Sequence, residues 1–394
     1  MMVEKSSVHT SRKTPDGDAP VVVVAPDKYR GSLTASEAAE ALALGVRTAL
    51  PRAQVLARPM SDGGEGTIDA LRAAGAVTEE RRVTGPLGHP VTAEWARLGG
   101  VHYVESAQAC GISLTDETVP GRALRATSAG VGELLLAAAA GAPRRIVVGL
   151  GGTASTDGGF GIACALGWEA LDRRGRRLPA RAASLDEVWE IVPPSEPPFG
   201  DIEVVAATDV DNPLLGSRGA AAVFARQKGA SPADVAVLER RLDRWSEAVL
   251  RGTGRDVSAV TGGGAAGGSA AGLVGLLGAR IESGAQLVID LLGLPEAIRQ
   301  ANLVITGEGS LDAQTLGGKG PVAIARLARA AATDVIAVAG IADTDDPRMN
   351  EFFVAIGQLS AEARGNEDSF TDAALLARRL VHRLTAEWAA GRGA

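Results

Sequence analysis

The chain has 394 residues, 46% hydrophobic and 22% charged, with a formal net charge of −7. Those values suit two or three globular domains with sizeable cores and leave no basic footprint for nucleic acid. No apolar run of about 18 residues occurs, so no membrane-spanning helix is expected.

Residues 1–19, MMVEKSSVHTSRKTPDGDA, lack the apolar stretch of a secretory signal and are expected to form a mobile polar tail. Cys110 and Cys164 share no metal-ligand spacing and suit a reducing cytosol, each as a small buried hydrophobe. The four histidines share no motif, and no G-x-S-x-G elbow occurs.

In chain order, VVVVA at 21–25 is the first predicted strand. TASE then offers a capping box, with Thr34 as N-cap and Glu37 three residues on. Ala39, Leu42, Val46 and Leu50 follow at helical spacing, and Pro51 closes the segment. Further apolar runs are RIVVGL at 145–150, EVVAA at 203–207, LVIT at 303–306 and VIAVA at 335–339. Continuous Val and Ile runs without alternation suggest strands buried on both faces. With helices between them, the fold class is α/β.

The unusual segments are expected in loops just after the predicted strands: PDKYRGS, SDGGEGT, GGTASTDGG, TDVDNP and TGEGSLD. Ligands of open α/β sheets bind outside the carboxyl ends of the strands. A negative net charge does not exclude an anionic substrate there, because local lysines and arginines reverse the field within one cleft.

GLGGTA at 149–154 matches a dinucleotide fingerprint, with Asp172 about 20 residues beyond as a ribose-binding acid. An NAD(P)-dependent oxidoreductase is therefore one reading. A broader one lets the backbone N–H groups around Gly151 and Gly152 cradle a phosphate, with Ser155 and Thr156 as extra donors. Around Lys319 a Walker A motif fails, since Ala313 stands where the first glycine belongs and Gly320 replaces Ser or Thr. Lys319 remains a candidate for neutralising phosphate. The glycines of TGGGAAGGS, Gly267 and Gly268 among them, demand close backbone approach, to a packed helix or to a ligand.

Acids recur in the loops: Asp62 and Glu65, Asp157, Asp209 and Asp211, Glu308 and Asp312. Mg²⁺ prefers oxygen and takes one or two carboxylates plus substrate phosphates, so some of these acids must be helix caps instead. Lys28 and Arg30, beside Asp27, suit a carboxylate or phosphate.

The segments APDKYRGSLTASEAAEAL, SDGGEGTIDAL, VTGPLG, GLGGTASTDGGFG, TDVDNPLLG, GGGAAGG and TGEGSLDAQTLGGKGP together resemble the bacterial glycerate kinase family, in the branch that phosphorylates D-glycerate. The likeness covers residues from about 21 to 340. Arg30 departs from an expected lysine and Val131 from a common threonine.

The resemblance implies two α/β domains. A flavodoxin- or Rossmann-like one combines 20–82 with 290–394, and a second, 83–289, is inserted into it. It also implies a cleft for D-glycerate and Mg-ATP and 2-phosphoglycerate as product; a homodimer is compatible with it, and the cysteine usage suits a cytoplasmic enzyme. On this reading Asp209 is the base, with Asp157 the second choice. Lys28, Arg30 and Ser32 hold the glycerate carboxylate. Asp62, Glu65, Glu308 and Asp312 serve the metal. Gly151, Gly152, Ser155, Thr156, Gly267, Gly268 and Lys319 serve the nucleotide phosphates. A non-catalytic metabolite sensor, which needs no base, is the third reading.

Overall fold

The computed structural model describes residues 19–29, 31–311, 320–343 and 346–392. The chain divides into two compact units, Met1–Met60 with Leu292–Ala394, and Ser61–Leu291 between them. The first crossing thus lies at Met60–Ser61, ahead of the boundary near residue 82 read from the sequence. The SDGGEGT loop belongs to the second unit.

Strand β1 (Val21–Pro26) leads into helix α1 (Ala35–Ala49) and strand β2 (Gln54–Ala57). The α1 cap forms as its residues predict. Glu37 donates its backbone N–H to Thr34 Oγ1 at 3.2 Å, and its carboxylate accepts the Thr34 N–H at 2.8 Å. Ala39, Leu42 and Val46 are buried.

The second unit continues with α2 (Thr67–Ala73), β3 (Val77–Thr84), β4 (Pro90–Leu98), β5 (Val101–Glu105) and α3 (Ser106–Cys110). Then come α4 (Arg122–Arg125), α5 (Ala129–Ala139), β6 (Arg145–Gly149), α6 (Phe160–Ala165), β7 (Glu169–Leu171) and β8 (Glu190–Val192). It closes with β9 (Glu203–Ala207), α7 (Ala220–Phe224), α8 (Pro232–Thr253), α9 (Ala265–Leu277), β10 (Arg280–Glu282) and α10 (Gly284–Leu291).

The chain returns to the first unit through α11 (Leu294–Gln300), β11 (Leu303–Leu311), α12 (Pro321–Ala330) and β12 (Asp334–Ala342). Strand β13 (Ala355–Gln358) and helices α13 (Leu359–Glu362) and α14 (Ala373–Arg392) complete it.

The first unit is a five-stranded sheet in the order β13-β12-β11-β1-β2, every neighbouring pair parallel. Counted within the unit this is 2-1-3-4-5, the flavodoxin-like order, whose switch point lies between β1 and β11. Both faces of β1 are buried, which is why it opens on the unbroken valine run 21–24. On one face Leu42 and Val46 of α1 pack with Leu376, Leu380 and Val381 of α14.

The second unit holds a six-stranded sheet in the order β10-β9-β6-β5-β4-β3. Strands β10, β9, β6 and β5 are parallel, whereas β4 and β3 form an antiparallel edge. The carboxyl ends of the four parallel strands therefore point to one edge, where their loops gather. The five runs read as strands are strands. The apolar segment 134–142, LLLAAAAGA, lies largely in α5, with Leu134, Leu135 and Ala138 wholly buried.

Candidate functional site

In the first unit, the loop after β1 lies beside the carboxyl-terminal half of β11 at the switch point. Asp27 donates its backbone N–H to the Gly307 carbonyl at 2.8 Å, and Tyr29 Oη donates to the Val338 carbonyl at 2.6 Å. Burial, with a smaller push from Glu308, raises the Tyr29 phenol far above its ordinary value, so it stays protonated. The carboxylates of Asp27 and Glu308 converge on Gly320: a Cβ there would lie 3.9 Å from an oxygen of each. Ser32 Oγ donates to the Tyr29 carbonyl at 3.2 Å, so it must leave that bond to donate to a ligand. Arg30, Asp312 and Lys319 lie outside the described residues.

In the second unit, the acidic glycine turn is held from three sides. Asp62 Oδ1 accepts the Gly64 N–H at 3.1 Å, and Tyr103 Oη donates to the Gly63 carbonyl at 2.6 Å. Glu105, at the end of β5, accepts the N–H groups of Gly66 and Ile68 at 3.0 and 3.2 Å. Burial pushes Glu105 up to about 7, against the lowering by those two bonds. Gly63, at φ +82°, packs so tightly on Gly284 that a Cβ would fall 2.5 Å from its Cα.

The glycine loop after β6 lies against this turn. A Cβ on Gly152 would sit 3.5 Å from Glu65 Oε2, and one on Gly151 would sit 3.2 Å from Gly64 Cα. Gly152 is exposed and Gly151 half-buried, so the loop's accessible backbone is there. Asp209, after β9, completes the edge. Its carboxylate accepts Ser283 Oγ at 2.6 Å and the Ala285 N–H at 3.1 Å, tying it to the start of α10. Asp62, Glu65, Gly151, Gly152 and Asp209 thus occupy one continuous run of loops.

Other predicted residues turn inward. Asp157 is 1% exposed, and its carboxylate accepts the N–H groups of Ser128, Gly159 and Gly161 and the Ser128 hydroxyl, all within 3.2 Å. It anchors the loop to the starts of α5 and α6 and has no accessible oxygen for a base. The Ser155 and Thr156 hydroxyls are buried without hydrogen-bond partners among the described residues. Gly267 and Gly268 serve backbone approach to the protein itself: Gly267 accepts the Gly158 N–H at 3.0 Å. With Ala266 they form three consecutive left-handed residues ahead of the regular part of α9. Asp211 forms a two-pronged surface pair with Arg218, both bonds 2.9 Å.

The dinucleotide reading loses its context here. That fingerprint needs a helix opening at its third small residue, yet α6 opens only at Phe160, well past Ala154. Asp172 instead accepts the N–H groups of Arg174 and Arg176, at 2.8 and 2.9 Å, in the turn between β7 and β8.

Two residues without a motif also matter. Glu105 and Lys228 are 2% and 4% exposed, and each binds a site loop. A lone charged residue in an unremarkable segment carries no pattern that sequence reading could use.

Among the described residues, no three His, Cys, Asp or Glu side chains cluster as a protein-only metal cage. Mg²⁺ does not require one, because it usually keeps waters and takes phosphate oxygens beside one or two carboxylates. The hard oxygen donors of Asp62 and Glu65 fit that habit.

Carboxylates and glycine loops at the carboxyl ends of parallel strands, in two units of which one is flavodoxin-like, define an α/β enzyme of the loop-sited class. Comparison makes the class specific. The model for the glycerate kinase family matches residues 22–389. The glycerate 2-kinase of Escherichia coli K12 is 40% identical over 331 residues, covering 82% of this chain and 86% of that protein. A glycerate kinase of Bacillus subtilis 168 is 34% identical over 372 residues, covering 93% and 97%. The solved structure of a Salmonella typhimurium LT2 protein assigned as glycerate kinase 2 superposes with a TM-score of 0.83 at 35% identity, covering 95% of this chain and 99% of its own. The chain belongs to the glycerate kinase family. No helix among its described residues is long and apolar enough to cross a membrane.

Proposed function

We propose that the protein transfers the γ-phosphoryl group of ATP to D-glycerate, giving 2-phosphoglycerate. The reading rests on one observation besides the family: the acidic turn, the glycine loop and Asp209 gather at one sheet edge of the second unit. Phosphoryl transfer asks a protein mainly to position its substrates and neutralise charge.

Asp209 takes the proton of the attacking glycerate hydroxyl. Two hydrogen bonds fix its carboxylate, and an ionised carboxylate offers about four lone-pair sites, so acceptor capacity remains. Gly151 and Gly152 present backbone N–H groups to the phosphates. Asp62 and Glu65 are the second unit's candidates for holding Mg²⁺, which when bound would neutralise phosphate charge. Asp157 keeps the loop in shape. The first unit's candidates are Lys28, Arg30 and Ser32 for a carboxylate, and Glu308, Asp312 and Lys319 for metal and phosphate. The enzyme acts in the cytoplasm, and a homodimer is compatible with it.

The test is ADP release by the purified enzyme with ATP, with D-glycerate and Mg²⁺ each supplied or withheld. Release that requires both supports the proposal; release indifferent to D-glycerate contradicts it.

A further inference from the structure

Lys228 ends the short 3-10 turn Arg226–Lys228 and is 4% exposed. Its ammonium donates to the Ser155 carbonyl at 2.5 Å and reaches Thr153 Oγ1 at 3.5 Å. Both acceptors are neutral. A buried cation is costly unless paired with an opposite charge or fully hydrogen-bonded, and an ammonium has three protons to place. Such a group is retained where its charge has a use.

The surroundings indicate that use. Lys228 lies directly behind the loop whose outer face is Gly151–Gly152 and whose Ser155 and Thr156 hydroxyls are buried without partners among the described residues. It also abuts the left-handed turn at 266–268, since a Cβ on Gly267 would lie 2.9 Å from its Nζ. Its own carbonyl accepts Arg122 Nε at 3.3 Å, which fixes the turn that carries it.

We infer that Lys228 is a positioning residue for the phosphoryl donor: it pins the Ser155 carbonyl, so setting the course of the 151–156 backbone, and supplies a fixed positive charge behind that backbone. The inference rests on the reading of this loop as the phosphate-binding one. The titratable or charged groups facing Lys228 are the Cys110 thiol and the Asp157 carboxylate, with the Arg122 guanidinium on its backbone side. Burial drives the ammonium down to about 8, against the opposing pull of Cys110 and Asp157. The charge is therefore present at neutral pH and lost as pH rises through about 8, so the donor binds more weakly on the alkaline side.

The experiment uses the full chain with Mg-ATP, comparing wild type, Lys228→Met and Lys228→Arg between about pH 6.5 and 9.5. ATP binding by calorimetry and ATP KM and kcat with D-glycerate are measured at each pH. Wild-type ATP KM should rise through pH 8. Lys228→Met should bind ATP ~10-fold more weakly at pH 7, with kcat changed less than ~3-fold and no further rise. Lys228→Arg should keep KM within ~3-fold of wild type and lose the alkaline rise, because a guanidinium does not titrate there.

A merely structural lysine would lower the melting temperature and leave the pH profile alone. Should Lys228→Met fail to fold, Lys228→Arg decides: a persisting alkaline rise overturns the inference and its loss supports it. Equal ATP binding by wild type and Lys228→Met overturns the inference alone. No ATP binding by the wild type overturns the phosphate-loop reading beneath it.

Discussion

Gly267 and Ser155 lie so close that a Cβ on the glycine would fall 2.0 Å from the Ser155 carbonyl oxygen. Gly267 also stands at φ +66°, where a side chain costs about 1–2 kcal/mol. This one approach seats the left-handed turn at 266–268 on the loop that the proposal gives to phosphate.

Gly267→Ala should therefore lower stability by ~2–4 kcal/mol, combining left-handed strain with overpacking against backbone that cannot swing aside. Urea unfolding followed by circular dichroism checks this. A change within ~0.5 kcal/mol, as at an ordinary surface site, would mean that the turn moves freely.

Asp157→Asn separates anchoring from catalysis. An amide keeps only one acceptor oxygen, so with that oxygen toward Ser128 and Gly161 its N–H groups face the Gly159 N–H, and the flipped amide faces those of Ser128 and Gly161 instead. The expected cost is ~2–3 kcal/mol from unsatisfied buried donors. Turnover per folded molecule should fall far less than for a base. A loss of ~10²-fold in kcat at undiminished stability would return Asp157 to the role of base.

Asp209→Asn should behave oppositely. The amide oxygen can still accept the Ala285 N–H and the amide nitrogen can donate to Ser283 Oγ, so the start of α10 survives. Loss of proton acceptance should cut kcat by ~10²-fold or more with ATP affinity retained. Steady-state kinetics beside ATP calorimetry read both; an unchanged kcat would remove Asp209 from the mechanism.

Glu105 predicts a pH effect on stability. Its folded value, about 7, lies above the ordinary 4.5, so between these values the folded state binds more protons than the unfolded one. Its contribution is fully present below about 4.5 and is lost as pH rises through about 7. Glu105→Gln, which keeps an acceptor for one of the Gly66 and Ile68 N–H groups and removes the titration, should flatten this slope in urea titrations from pH 4.5 to 7.5. An identical slope in the variant would show that other groups produce it.

Much of this was legible in the residues, and the failures have physical causes. VVVVA and RIVVGL read as strands because burial on both faces requires unbroken apolar runs. VTEERRVT of β3 lies at an exposed edge, where charged residues hide the strand. VHYVE of β5 is buried throughout although it carries His102 and Glu105, since each polar side chain is satisfied locally, His102 by the Ala138 carbonyl at 2.7 Å. The loop acids were visible, but their uses were not. An aspartate that caps and one that meets a ligand look alike until the N–H groups around Asp157 and the open side of Asp209 are known. Lys228 was out of reach, because only folding carries it beneath Ser155.

Phosphorus NMR of the products of D-glycerate, Mg-ATP and the enzyme reads the phosphoryl transfer itself. A new phosphomonoester resonance is expected that coincides with added 2-phosphoglycerate and grows as the γ-phosphate signal of ATP declines. ATP that persists beside unmodified D-glycerate would contradict the transfer; a resonance coinciding with 3-phosphoglycerate would contradict the assigned hydroxyl.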